Sequence, residues 1–208
     1  MFERKKSVVI SASEERLERL IQQRLQPGSD KECIDKRIWD LFGEEWCAMF
    51  TDLSGFSRKV AEFGITHFLQ TIYESERLLI PVIEDFDGIL LKTEGDSFLV
   101  IFRNADKALK AAITMQRVLA DYNREKPDEE MVLLCVGLGH GAMLRIGDSD
   151  VFGAEVNAAS KLGEDTAQAG EILATDAFIS KLTDRARLSL EEITDVPPGA
   201  KKAFRISY

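Results

Sequence analysis

Along the chain, segments whose apolar residues recur every three to four positions alternate with short, continuously apolar runs. These are the patterns of amphipathic helices and buried strands. Leu17, Leu20, Ile21 and Leu25 share one helical face ahead of Pro27-Gly28, which ends the first helix. Ser11 and Ser13 are N-cap candidates, and Glu14 stands three residues after Ser11, as in a capping box. A second short helix is predicted from about Asp30 to Phe42, with Ile34, Ile38, Leu41 and Phe42 as its stripe. The pair either packs on the domain that follows or forms a partner or dimer contact, since one stripe suits both uses.

From about Glu45 strands and helices alternate. Trp46 to Phe50 is an apolar run that stops at Thr51-Asp52, and Thr66 to Phe86 reads as a long helix. Its inner side would carry Phe68, Leu69, Tyr73, Leu79, Val82 and Ile83, and Pro81 either kinks it or divides it. Ile89 to Leu91 and Ser97 to Phe102 form a predicted hairpin, joined by the five residues Lys92-Thr93-Glu94-Gly95-Asp96. Asn104 caps a helix running to about Tyr122. A strand Val132–Leu138, a helix Val156–Leu162, a strand Ile172–Thr175 and a helix Asp176–Leu182 follow, with terminal strands near Leu188–Leu190 and Phe204–Ile206. Trp39, Phe42 and Trp46 read as core joining the first helices to the sheet. This order predicts an α+β sheet domain with helices on one face, divided into a helical extension, residues 1–44, and a larger domain, residues 45–208.

Composition adds mostly exclusions. The 208 residues are 45% apolar and 30% charged, which rules out a fibrous, low-complexity or wholly disordered chain. No window approaches the roughly 18 apolar residues of a membrane span, and Val8-Val9-Ile10 is too short for a secretory core. Cys33, Cys47 and Cys135 share no metal-ligand spacing and are expected to be reduced core thiols of a cytoplasmic protein. The net charge of −9 argues against nucleic acid and membrane as partners. It leaves room for a small anionic ligand held by metal ions, because a bound cation reverses the local field.

Two acidic residues stand at strand ends beside glycine. Asp52 precedes Leu53-Ser54-Gly55-Phe56-Ser57, and Asp96 follows Gly95 in the hairpin connection. If the first strand lies beside the hairpin, both carboxylates reach one sheet edge and can share hard cations. Gly55 permits close approach, and backbone N–H groups at Phe56-Ser57 could hold a triphosphate. Taken alone, each aspartate reads first as a turn residue. His67, on an apolar helix, and His140, in a Gly-His-Gly turn, are expected to be structural.

The motifs Phe50-Thr51-Asp52-Leu53-Ser54-Gly55-Phe56-Ser57 and Lys92-Thr93-Glu94-Gly95-Asp96-Ser97-Phe98 resemble the two metal-binding motifs of the class III adenylate/guanylate cyclase catalytic domain family. Val136-Gly137-Leu138-Gly139-His140-Gly141 is similar to its central strand and glycine turn. Val151 to Leu162 is similar to its transition-state motif. The likeness runs from about residue 45 to 182, and four motifs in family order make it specific. It implies a ferredoxin-like βαββαβ cyclase fold and conversion of ATP to 3′,5′-cyclic AMP and pyrophosphate.

By the same resemblance, Asp52 and Asp96 would hold two Mg²⁺ or Mn²⁺ ions, which acidify the ribose 3′-hydroxyl so that no side-chain base is needed. Lys92 and Asp150 would read adenine, Asn157 would position the ribose, and Lys161 occupies the place of the transition-state arginine. The family's site forms between two antiparallel subunits, so a homodimer is implied, with Asp52 and Asp96 from one chain and Lys92, Asp150, Asn157 and Lys161 from the other.

Three departures stand beside the likeness. Lysine at 161 lacks the planar bidentate fork of arginine. The stretch from Gly141 to Asp150 is short, which leaves Asp148 as an alternative to Asp150. The pyrophosphate-binding lysine has only Lys201 and Lys202 as poorly placed candidates, with Arg145 as a substitute contact. A degenerate, nucleotide-binding regulatory module and a cyclase for GTP or a pyrimidine triphosphate are therefore the rival readings.

Overall fold

The structure is a computed structural model that describes residues 11–55, 62–186 and 188–208. Helices α1 (Ala12–Leu25) and α2 (Lys31–Phe42) come first, and strand β1 (Gly43–Leu53) begins directly from the end of α2. Helix α3 (Ile65–Asp85), the hairpin β2 (Ile89–Glu94) and β3 (Ser97–Phe102), and helix α4 (Ala105–Asn123) follow. Next come β4 (Leu134–Ile146), β5 (Asp150–Phe152), the short helix α5 (Ala154–Ser160) and a π-helical turn, Lys161–Thr166. The chain closes with β6 (Ile172–Thr175), α6 (Asp176–Lys181), β7 (Ser189–Ile193) and β8 (Ala203–Ser207).

The local signals act as expected at the helix starts. Ser11 and Glu14 form both halves of the capping box on α1, Asp30 accepts from Cys33 N at α2, and Asn104 accepts from Lys107 N at α4. Helix α3 runs without interruption through Pro81.

The sheet order is β2-β3-β1-β4-β6-β8-β7, with β5 hairpinned onto β4. All pairings are antiparallel except β4 with β6. Alternation along β1 sends Cys47, Met49 and Leu53 into the main core beneath α3, α4 and α6. Trp46 and Ala48 face the opposite side, where Val156 and Ala159 of α5 cover them. Helices therefore lie on both faces, not on one.

The reason lies in β4. Gly137, Gly139 and Gly141 are strand residues opposite Phe50, Ala48 and Trp46, not a turn. A Cβ on Gly137 would lie 2.1 Å from the Ala159 carbonyl oxygen, and one on Gly139 would lie 2.4 Å from that of Glu155. The bare strand lets the α5 backbone rest directly on the sheet. His140, expected in a turn, is likewise a buried strand residue.

Leu20, Ile34, Ile38 and Phe42 bury themselves against Ile146, so α1 and α2 pack on β4. Several apolar positions expected to be inside are not. Leu25 is 74% exposed and Tyr73 75%, and Leu41, Leu69 and Trp39 are also exposed. Helical period selects a face without guaranteeing that another element reaches it. Cys33 is exposed, while Cys47 and Cys135 are buried free thiols.

Candidate functional site

The hairpin differs from its expected form in a way that builds the site. Lys92, Thr93 and Glu94 belong to β2, leaving only Gly95-Asp96 as the connection, with Gly95 at φ +62°. Pairing shifts between Leu90, opposite Val100, and Lys92, opposite Leu99. Leu91 is thus the extra residue of a β-bulge, and it packs with the α5-side cluster. Were Leu91 paired regularly opposite Leu99, strict alternation would send Lys92 to the α3/α4 face. The bulge re-aims Lys92 onto the same face as Leu99.

On that face lies a cleft of about 200 Å³, lined by Phe50, Lys92, Ser97, Asp150, Asn157 and Glu164 among others. Three separate elements supply its polar groups: β2 gives Lys92, β5 gives Asp150, and α5 with its π-helical turn gives Asn157, Ser160 and Glu164. Lys92 Nζ donates to Asp150 Oδ2 at 2.5 Å, with both side chains largely enclosed, and lies 3.7 Å from Glu94 Oε1. The other Asp150 oxygen accepts from the Val151 backbone N–H at 2.9 Å. Asp148 instead pairs with Arg145 at 2.7 Å.

Asp52 and Asp96 do not line this cleft; they stand beside it. Asp52 is on β1 opposite Cys135, and Ser97 Oγ donates to its Oδ1 at 3.3 Å. Burial pushes the Asp52 carboxyl up to about 6, and the nearby charges of Asp96 and Glu164 push in the same direction. Burial raises Asp96 as well. Two neighbouring hard oxygen donors whose ionisation burial penalises suit a shared divalent cation, which would relieve that cost. Among the described residues no group of three or more His, Cys, Asp and Glu side chains gathers elsewhere as a rival metal site.

The other expected positions are distributed as follows. Gly55 takes φ +80° with open space around it, while Phe56 lies outside the described residues. Lys161 is more than half exposed, does not line the cleft, and pairs with Asp165 at 2.9 Å. Arg145 stacks 4.8 Å from the Trp46 ring centroid and is held by Asp148, away from the cleft. Lys202 pairs with Glu192, and the backbone N–H groups of Lys201 and Lys202 both donate to Asp176. His67 Nε2 donates to the Glu129 carbonyl, 2.7 Å away, as a structural tie.

Sequence reasoning missed Glu164 and Ser160, which hydrogen-bond to each other at the cleft wall. Their signal was available: Asn157, Ser160 and Glu164 recur at i, i+3 and i+7.

The adenylate and guanylate cyclase catalytic domain matches residues 43–206. The chain belongs to that family. This cyclase domain is 30% identical over 159 residues to an adenylate cyclase of Streptomyces coelicolor, a match covering 76% of the chain and 37% of the relative. It is also 30% identical over 127 residues to a putative adenylate cyclase of Rhizobium meliloti, covering 61% of the chain and 21% of that protein. The chain thus spans well under half the length of these relatives. An adenylate/guanylate cyclase/hydrolase structure from Silicibacter pomeroyi shares the fold at a TM-score of 0.66 and 23% identity, covering 80% of this chain and 98% of that one. Among the described residues no helix is long and apolar enough to cross a membrane.

Proposed function

We propose that this cyclase domain converts ATP to 3′,5′-cyclic AMP and pyrophosphate, at sites completed by a second copy of the chain. The observation that carries the reading is the preformed Lys92–Asp150 pair in a cleft with Asn157, separate from the acidic pair Asp52 and Asp96. In the absence of nucleotide the pair's donor and acceptor satisfy each other. An adenine entering the cleft replaces that contact with matched ones: Lys92 donates to ring N1, and Asp150 accepts from the 6-amino group. Asn157, on the adjacent helix, has both a donor and an acceptor for the ribose. Gly55 leaves room for the triphosphate.

Two divalent cations, Mg²⁺ or Mn²⁺, would be held by Asp52 and Asp96; when bound, they supply Lewis-acid chemistry, lowering the pKa of the ribose 3′-hydroxyl and stabilising the α-phosphate as pyrophosphate leaves. Because base-reading and acidic groups occupy neighbouring but distinct regions of one chain, a two-fold dimer can set the acidic pair of each copy against the cleft of the other. Residues 45–208 then form the catalytic domain and residues 1–44 an extension, working in the cytoplasm with ATP as substrate and no nucleic acid or membrane partner. Purified protein given ATP, GTP, CTP or UTP with Mg²⁺ or Mn²⁺ should yield cyclic AMP above an Asp96→Ala control, identified by mass. A different cyclic product would keep the mechanism and remove adenine from the base-reading role.

One observation favours a second reading. Lys161 is engaged by Asp165 and stands off the cleft wall, so it offers the developing phosphate charge less than an arginine fork would. Nucleotide binding without any product would identify a regulatory module.

A further inference from the structure

Helix α5 carries Asn157 to the cleft, yet little in the helix itself fixes where it sits. It has seven residues, and its N-cap, Gly153, makes no side-chain hydrogen bond. Isolated helices of this length are not stable in water. Val156 and Ala159 press it onto the sheet beside Trp46 and Met143, but such contacts are non-directional. The glycine stripe of β4 offers no side chains for α5 to interlock with. The bare strand therefore sets the distance of the helix from the sheet, not its register along it.

One carboxylate oxygen supplies that register. Strand β4 pairs with β6 only from Val136 to Leu138, because after Thr175 the chain leaves the sheet as α6. The Val136 N–H donates to the Glu171 carbonyl on that side, and alternation turns the His140 N–H the same way, past the end of β6. Glu155 Oε2 accepts from the His140 N–H at 3.2 Å and from the Thr175 hydroxyl at 2.6 Å. Thr175 Oγ1 in turn accepts from the Phe178 N–H and so caps α6. A half-buried side chain of α5 thus fills the gap where β4 and β6 part, and joins three elements at one point. It also covers bare backbone there, since a Cβ on Gly141 would lie 2.8 Å from Glu155 Cγ. Two residues further on, helical period turns Asn157 away from this anchor and into the cleft.

We propose that Glu155 is a positioning residue for nucleotide binding: by joining α5 to β4 and to the start of α6, it sets the register that presents Asn157 to the ribose. The assignment rests on the proposed reading of the cleft. The contact needs an acceptor at the right reach more than it needs a charge. Glu155→Gln keeps an amide oxygen for both donors, Glu155→Asp draws the acceptor back by one methylene, and Glu155→Ala removes it.

The test is calorimetric titration of 3′-deoxy-ATP and 3′-deoxy-GTP, with Mg²⁺, into the full chain and into these variants, Asn157→Ala and the double variant Glu155→Ala/Asn157→Ala. Both nucleotides lack the attacking hydroxyl, so binding is read without turnover. Glu155→Ala and Glu155→Asp should each weaken 3′-deoxy-ATP binding about three- to tenfold, the span of one hydrogen bond, while Glu155→Gln binds like wild type. The preference for adenine over guanine should not change, because Lys92 and Asp150 stand on other elements. The double variant should bind no more weakly than Asn157→Ala, because both changes act through one contact. If Glu155→Ala does not fold, Glu155→Asp carries the same comparison. Wild-type affinity in a folded Glu155→Ala or Glu155→Asp protein, alongside weakened binding in Asn157→Ala, would overturn the positioning role and leave Glu155 as a structural tie. Additive losses in the double variant would overturn it as well. Wild-type affinity in Asn157→Ala would overturn the ribose reading itself, and the positioning role with it.

Discussion

The two faces of the central sheet solve the same problem in opposite ways. On the α3/α4/α6 face, large side chains such as Phe98, Phe102, Met115 and Leu79 interlock, and each is almost fully buried. On the α5 face, β4 presents glycine at 137, 139 and 141, and a short helix lies against bare backbone. The first arrangement is tolerant, since apolar volume can be redistributed among neighbours. The second is intolerant, because a backbone carbonyl has nowhere to move. The candidate site lies entirely on the intolerant face, where Asn157, Ser160 and Glu164 are placed by that close approach and Lys92 by the Leu91 bulge. Stability comes mainly from one side of this domain and recognition from the other.

Substitutions can break that division, beginning with the most damaging. Gly137→Val should abolish folding of the domain, since even its first carbon meets the Ala159 oxygen at 2.1 Å; loss of the cooperative melting transition is the readout. Leu79→Ala, on the other face, should cost about 2–5 kcal/mol in chemical denaturation but leave nucleotide affinity within twofold. Lys92→Met should lower nucleotide affinity more than about tenfold, the loss expected when a charged hydrogen-bond donor leaves a site. A Lys92→Met variant that kept wild-type affinity would show that recognition does not run through the face onto which the bulge aims Lys92.

A subtler effect concerns pH. Asp52 in the folded chain holds its proton up to about 6, against 3.8 ordinarily, so protonation favours the fold. In metal-free protein this contribution is full below about pH 4 and declines as pH rises through 6. Asp52→Asn should flatten melting temperature across that window, and Mg²⁺ should stabilise wild type above it but not the variant. Smallest of all, Leu25→Gln and Tyr73→Ser should shift stability by less than about 0.5 kcal/mol, because both side chains are exposed.

These differences mirror what the sequence made legible. Element order, the caps at Ser11, Asp30 and Asn104, and the acidic pair were readable, because each depends on residues close together in the chain. The same holds for the hairpin, though not its exact connection: five residues around Gly95 read as a loop, where pairing extends to Glu94 and only two remain. The bulge was invisible because one extra residue changes register without changing composition. The glycine stripe read as a turn, since glycine signals conformational freedom and close packing in the same letter. Leu25, Leu41, Leu69 and Tyr73 show the remaining limit. Their spacing predicts a shared face, and only tertiary structure decides whether that face is covered. Of the site itself, Lys92, Asp150 and Asn157 line one cleft. Glu164 carries a weaker signal, its i+7 spacing from Asn157, and joins the wall because the π-helical turn continues the line begun by α5.

The central claim is that each site combines the cleft of one copy with the acidic pair of another. Mixing two disabled proteins tests it most directly: Asp96→Ala, which retains Lys92, and Lys92→Ala, which retains Asp96. Each alone should form no cyclic nucleotide. After equal mixing and exchange of subunits, half of the dimers would be mixed and each would carry one intact site, so activity should recover to about a quarter of wild type. A mixture as inactive as its components, alongside an active wild type and demonstrated subunit exchange, would contradict the account.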